Sequence, residues 1–142
     1  MPKFRISEAA ALLGVSDDTV RRWLESGKLP CERDRSHWTV IDGAALAAFV
    51  RGRARPAPDP TPRVGCSARN RFVGLVTEVI ADTVMTQIEI QCGPHRVVSL
   101  MSTEAARELG LAPGSLVVTV VKSTQVLIET PNEPYAFTAA SG

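Results

Sequence analysis

Between Arg51 and Pro62 the chain reads Arg-Gly-Arg-Ala-Arg-Pro-Ala-Pro-Asp-Pro-Thr-Pro. Proline at every second position removes backbone donors and favours extended polyproline II, so neither helix nor sheet can run through this stretch. From Pro56 to Pro62 it spans roughly 20 Å as a semi-rigid spacer. The chain must therefore fold as units on either side of it. The expected division is 1–52 for the first unit, 53–65 for the linker, 66–130 for the second unit and 131–142 for a mobile tail without periodicity. The arginines at 51, 53 and 55 fit a phosphate contact or a solvated helix end equally well.

Composition bounds the classes of function. Hydrophobic residues make up 44% of the 142 positions, which suits a globular protein. No apolar run approaches the roughly 18 residues that span a bilayer. The first residues, Met1-Pro2-Lys3-Phe4-Arg5, lead into Ser7-Glu8 without the apolar core of a signal peptide. The expectation is a cytoplasmic protein with no membrane partner. Three cysteines, Cys31, Cys66 and Cys92, are odd in number and lack paired CxxC spacing, so direct side-chain ligation of a metal is not expected. The net charge of +1 hides an asymmetry: residues 1–55 hold ten Lys/Arg against seven Asp/Glu, and the remainder six against eight. The basic excess lies on the first unit.

In that unit Ser7 is positioned as an N-cap, with Glu8 at the positive end of the helix it opens. Ala9, Ala10, Leu12 and Leu13 give the helix an apolar face. Gly14 suits the tight turn to a second helix, capped by Ser16 with Asp17 and Asp18 in its first turn. Val20, Trp23 and Leu24 recur at helical spacing and belong inside, which leaves Arg21 and Arg22 outside. Leu29-Pro30 ends the pattern. Residues 33–40 read as a short basic hairpin, and Asp42 as the cap of a last helix holding Ala44, Ala45, Leu46, Phe49 and Val50.

Over roughly residues 3–52 this order resembles the winged helix-turn-helix of the MerR and excisionase families. The resemblance rests on Ile6-Ser7-Glu8-Ala9-Ala10, Leu13-Gly14-Val15-Ser16, Thr19-Val20-Arg21-Arg22-Trp23 and Gly27-Lys28-Leu29-Pro30. It implies binding to double-stranded DNA, with the second helix in the major groove and the wing along the backbone. The implied contacts are Ser16, Thr19, Arg21 and Arg22, with Arg33, Arg35 and His37 on the wing. Arg35-Ser36-His37-Trp38 stands where these families often carry a glycine-rich turn. Arg21 and Arg22 also fit a reading as ordinary exposed charges.

The second unit alternates apolar and polar residues over 72–79 and 84–90, as half-buried strands do. Asp82-Thr83 and Gly93-Pro94 suit turns, the latter before a strand over 96–100. Helical spacing appears once, over 103–109, and is ended by Gly110. Residues 116–121 and 125–128 bring the expected count to five strands and one short helix, an OB-like β-barrel. The fold class expected for the whole chain is therefore α+β in two domains.

Ser67-Ala68-Arg69-Asn70 at the head of this unit and Lys122-Ser123-Thr124 near its end resemble the anion-binding halves of the molbindin (TOBE) family. Gly74-Leu75-Val76, Ser102, Leu109-Gly110-Leu111 and Pro113-Gly114 follow in the family's order. The resemblance implies molybdate or tungstate as ligand, held at sites completed between subunits, and hence a homo-oligomer, dimeric or higher. The implied site comprises Ser67, Ala68, Arg69, Asn70, Ser102, Lys122 and Ser123. A tetrahedral oxodianion offers only acceptors, so hydroxyls, backbone N–H groups and cationic side chains are what it requires. Asn70 fits either loop orientation or a second anion site. Arg69 also fits pairing with Glu78 or Glu89, and Ser102 a purely capping role.

A DNA-reading unit joined to an oxyanion-binding unit points to a transcription regulator that senses molybdate or tungstate. The alternative is a storage or buffering protein whose helix-turn-helix tethers or assembles it. No Ser/His/Asp arrangement, phosphate-binding glycine loop or paired carboxylates are recognisable, and His37 and His95 stand alone. No catalytic residue or catalytic cofactor is expected.

Overall fold

The computed structural model describes residues 2–55, 57–61 and 65–131. Two compact units are distinguished, Met1–Arg55 and Pro56–Ile128. The tail expected over 131–142 lies, but for its first residue, outside the described residues. Among the described residues no helix is long and apolar enough to cross a membrane.

The first unit opens with β1 (Lys3–Arg5), a strand the sequence pattern did not announce, and continues with α1 (Ile6–Leu13) and α2 (Asp17–Glu25). Two strands, β2 (Glu32–Arg33) and β3 (Thr39–Asp42), and the helix α3 (Gly43–Arg53) complete it. The N-cap of α1 is Arg5, not Ser7: the strand pairing of Arg5 with Val40 starts the helix two residues earlier. Glu8 still serves this end, its Oε2 accepting the Arg5 N–H at 2.8 Å. Gly14 ends α1 at φ +65°, the left-handed conformation that costs a residue without Cβ little. Ser16 caps α2, and Asp42 caps α3 by accepting from Ala44 and Ala45 at 3.0 and 3.1 Å. Ala9, Ala10, Val20, Leu29, Ile41 and Leu46 are buried together, with Trp23 and Phe49 packed against them.

The second unit is an antiparallel sheet ordered β6-β5-β4-β7, made of β4 (Asn70–Ala81), β5 (Met85–Cys92), β6 (His95–Ser102) and β7 (Leu116–Val121). A single short helix, α4 (Thr103–Glu108), follows β6. The described residues thus form four strands, not the five expected. Residues 126–130 are in no strand: Val126, Leu127 and Ile128 are apolar and β-branched or bulky like a buried strand, yet among the described residues no edge pairs with them. Strand formation needs a hydrogen-bonding partner, which periodicity does not supply. Among the described residues both edge strands, β6 and β7, are unpaired on one side, so hydrogen bonds between these four strands do not close the sheet into a barrel. Its buried cluster is small: Val76, Ile88, Ile90 and Cys92.

Candidate functional site

In the second unit, register decides what meets. Asn70 on β4 lies opposite Val121 on β7, so Ser67-Ala68-Arg69 and Lys122-Ser123 leave the sheet at the same end. Asn70 Nδ2 donates to the Val121 carbonyl at 3.2 Å and ties the two segments across 51 positions of sequence. Ala68 is buried, whereas Ser67, Arg69, Lys122 and Ser123 are exposed. The chain then enters a 3-10 turn over Ser123–Gln125, started at Lys122 without a side-chain cap. Among the described residues the N–H groups of Ser123 and Thr124 have no acceptor, as at the open end of any helical turn. Hydroxyls, two cations and free backbone donors therefore share one exposed corner, a donor set that fits an acceptor-only dianion.

Neither carboxylate considered for Arg69 takes it. Glu89 pairs with Arg96, whose guanidinium holds its carboxyl below the ordinary range. Among the described residues Arg69 is in no ion pair, and neither is Lys122.

Ser102 stands apart from this corner. It pairs with Met85 at the far end of β5 and β6, the end where Ala81 of β4 meets Thr86. The twelve residues of β4 represent roughly 36 Å of contour between that end and Asn70. Ser102 Oγ accepts from Ala105 N at 3.1 Å and so caps α4, leaving its proton free to donate. Beneath it, Thr103 and Thr86 are buried and joined hydroxyl to hydroxyl at 2.8 Å, and Thr103 also donates to the Asp82 carbonyl. This lock on the start of α4 was not anticipated, since lone threonines in a strand and a helix carry no pairing signal.

A second unanticipated contact lies beside Asn70. Arg71 Nε donates to Asp59 Oδ2 at 2.8 Å, and its Nη2 to Thr61 Oγ1 at 2.6 Å. Thr61 in turn donates to Asp59 through its N–H and its hydroxyl. Arg71 and both Thr61 donors hold the Asp59 carboxyl far below the usual carboxylate range. Two residues of the proline-rich stretch are thus docked on β4.

In the first unit, Ser16 Oγ accepts from Thr19 N at 3.2 Å and meets Thr19 Oγ1 at 2.9 Å. Arg22 Nη2 reaches the same hydroxyl at 3.4 Å. Ser16, Thr19 and Arg22 therefore form one connected group, with Arg21 exposed alongside. The hairpin between β2 and β3 is closed by Asp34, whose Oδ1 accepts from Ser36 N and Trp38 N at 2.8 and 2.9 Å. His37 sits at φ +61°, the conformation glycine favours, so the turn keeps a glycine-type geometry without the glycine. Arg33 Nη1 donates to the His37 carbonyl at 2.7 Å and braces that turn; Arg35 and the His37 side chain remain exposed.

Two family models match this chain. Residues 66–128 match the model of the TOBE domain, and residues 4–54 that of a helix-turn-helix domain. The chain belongs to the TOBE-domain family, with a helix-turn-helix domain ahead of a single TOBE domain. It is 33% identical over 63 residues to molybdenum-pterin-binding protein 2 of Clostridium pasteurianum, covering 44% of this chain and 93% of that protein. It is 32% identical over 74 residues to the molybdenum transport protein ModE of Herbaspirillum seropedicae. That match takes in 51% of this chain but only 28% of ModE. Among solved structures, a molybdate binding protein from Sporomusa ovata is 27% identical, with a TM-score of 0.46 over 47% of this chain and all of its own. None of these carries the name of an enzyme.

Proposed function

We propose that this protein is a transcription regulator that binds double-stranded DNA through residues 1–52 and senses molybdate or tungstate through residues 66–130. The observation that carries the reading is the corner where Ser67-Ala68-Arg69-Asn70 and Lys122-Ser123 converge, on a chain that also holds a helix-turn-helix domain. The anion is a ligand, and its metal is held through its oxygens without direct side-chain ligation. Thr19, Arg21 and Arg22 of α2 supply the groove and phosphate contacts, and the β2–β3 hairpin serves as the wing.

The anion site is completed between copies of the chain. Ser102 lies at the opposite end of the sheet from the Asn70 corner, so a second subunit is what brings it to an anion there. Unpaired sheet edges and the exposure of Phe72, Leu100, Leu116, Leu127 and Ile128 support a homo-oligomer, because such apolar surface is costly to leave in water. Assembly driven by the anion also pairs the DNA-reading units, which raises avidity without a rigid linker.

Calorimetric titration of the full chain with molybdate, tungstate and sulfate tests the ligand. Arg69→Ala removes a charge-assisted bond of about 1.5–3 kcal/mol, a roughly tenfold to hundredfold weakening. Ser102→Ala should lower affinity and stoichiometry together, with mass photometry showing assembly in step with anion. DNA affinity that rises or falls with molybdate supports the regulator. DNA affinity indifferent to a bound anion supports the storage alternative, and no heat with either metal oxyanion refutes both.

A further inference from the structure

Alongside the Arg21 flank of α2 the first unit has a groove of about 400 Å³, bounded by the start of α1, the start of α2 and the hairpin. Arg5, Arg21 and Arg33 line it, with Asp17 as its one carboxylate. Among the described residues none of these arginines is in an ion pair. Trp38 forms a wall and is 57% exposed, an unusual place for so large an apolar ring. Arg5 lies over it, its Cζ 5.0 Å from the ring centroid. Nothing in the described residues accepts from the Trp38 indole N–H.

We propose that Arg5 and Trp38 form a clamp for a phosphodiester of duplex DNA, in a groove where Arg21 and Arg33 complete the positive wall. The inference rests on DNA binding by this unit and adds two residues that no helix-turn-helix signal marks. The cation–π contact holds the guanidinium beside the ring, and its N–H groups are the donors that bond phosphate oxygens. The Trp38 indole supplies an apolar wall for the deoxyribose and an N–H for a second phosphate oxygen. Arg5 belongs to β1 rather than to α2, so the clamp reaches the DNA backbone, not the base edges. Binding at the clamp is therefore indifferent to sequence and sets the position of α2 in the groove.

The test uses the full chain carrying Trp23→Phe, which leaves Trp38 the only tryptophan of the two. Titration with a random-sequence duplex should shield Trp38 from iodide quenching. The slope of log affinity against log salt should flatten by about 0.9 in Arg5→Gln, because one phosphate fewer is neutralised, and recover in Arg5→Lys. Trp38→Ala should weaken every duplex alike, several-fold, with little change of slope. An unchanged slope in Arg5→Gln, or a Trp38 as accessible with DNA as without, overturns the clamp while DNA binding stands. Shielding of Trp38 by inorganic phosphate but not by the duplex assigns the groove to a free anion and overturns it too. A chain that binds no duplex at any salt sinks both the clamp and the regulator.

Discussion

Gly74 offers the sharpest test of how the second unit is built. A Cβ at this position would lie 2.6 Å from Cys92 Sγ, 2.7 Å from the Gln91 carbonyl oxygen and 2.7 Å from Ile90 Cγ2. The thiol can turn aside, but a backbone oxygen cannot. Gly74→Ala must then push β5 away from β4 near their Leu75–Gln91 pairing. Overpacking of this kind costs about 1–3 kcal/mol, and the stiffer unfolded chain returns about 0.4–1 kcal/mol. With a β4–β5 hydrogen bond weakened as well, the expected net loss is about 2 kcal/mol. For a unit of this size that is a fall in midpoint of roughly 8–16 °C. Both tryptophans belong to the first unit, so fluorescence reports that unit while amide exchange at Ile88 and Ile90 reports the second. Exchange at Ile88 and Ile90 should accelerate with no change in the tryptophan melt. Gly52→Ala in α3, where nothing lies within 4 Å, should do the reverse and stabilise the first unit by up to about 1 kcal/mol. Adding Cys92→Ala to Gly74→Ala should rescue only part of the loss, because the carbonyl remains. A loss under about 0.5 kcal/mol, within the range of an ordinary surface substitution, would refute the reasoning. So would complete rescue by Cys92→Ala.

His37→Gly should raise the first unit's stability by about 1 kcal/mol, since the residue now holds a left-handed backbone that glycine adopts freely. A tryptophan-detected melt checks this, and a lower midpoint would mean that the His37 side chain contributes packing. DNA affinity of the same variant separates a side-chain contact from a purely backbone role. Asp59 has its carboxyl depressed by Arg71 and Thr61, so its contribution is complete above the ordinary carboxylate pKa of about 4 and is lost as the pH falls below it. The Arg71 Nε–H resonance should therefore hold its shifted position from pH 7 to 5 and move only in stronger acid. In Asp59→Asn it should lose that position at every pH, and movement between pH 7 and 5 would contradict the assignment.

Much of this architecture was legible in the residues because it depends on local rules. Proline at every second position forbids regular structure wherever it occurs, so a division into two units followed without reference to packing. Ser16, Asp42 and Gly14 act within a turn of their own helices, and the apolar spacing around Val20 and Trp23 needs only helical geometry. The segments at 67–70 and 122–123 say little in isolation and were singled out by their order with the other elements of the TOBE resemblance. Contacts set by distant partners were not legible. The cap of α1 is Arg5 rather than Ser7 because β1 pairs with β3, and residues 126–128 join no strand because no edge among the described residues receives them. Register alone put Asn70 opposite Val121 and sent Ser102 to the other end of the sheet. Arg71 gained Asp59 from the linker, and Arg5 gained Trp38 from the hairpin, across separations at which sequence spacing carries no information. Sequence by itself determined which segments fold and what chemistry they carry, because those depend on covalent geometry and near neighbours. Only the tertiary structure decided which chemistries share a corner, because that depends on how strands align.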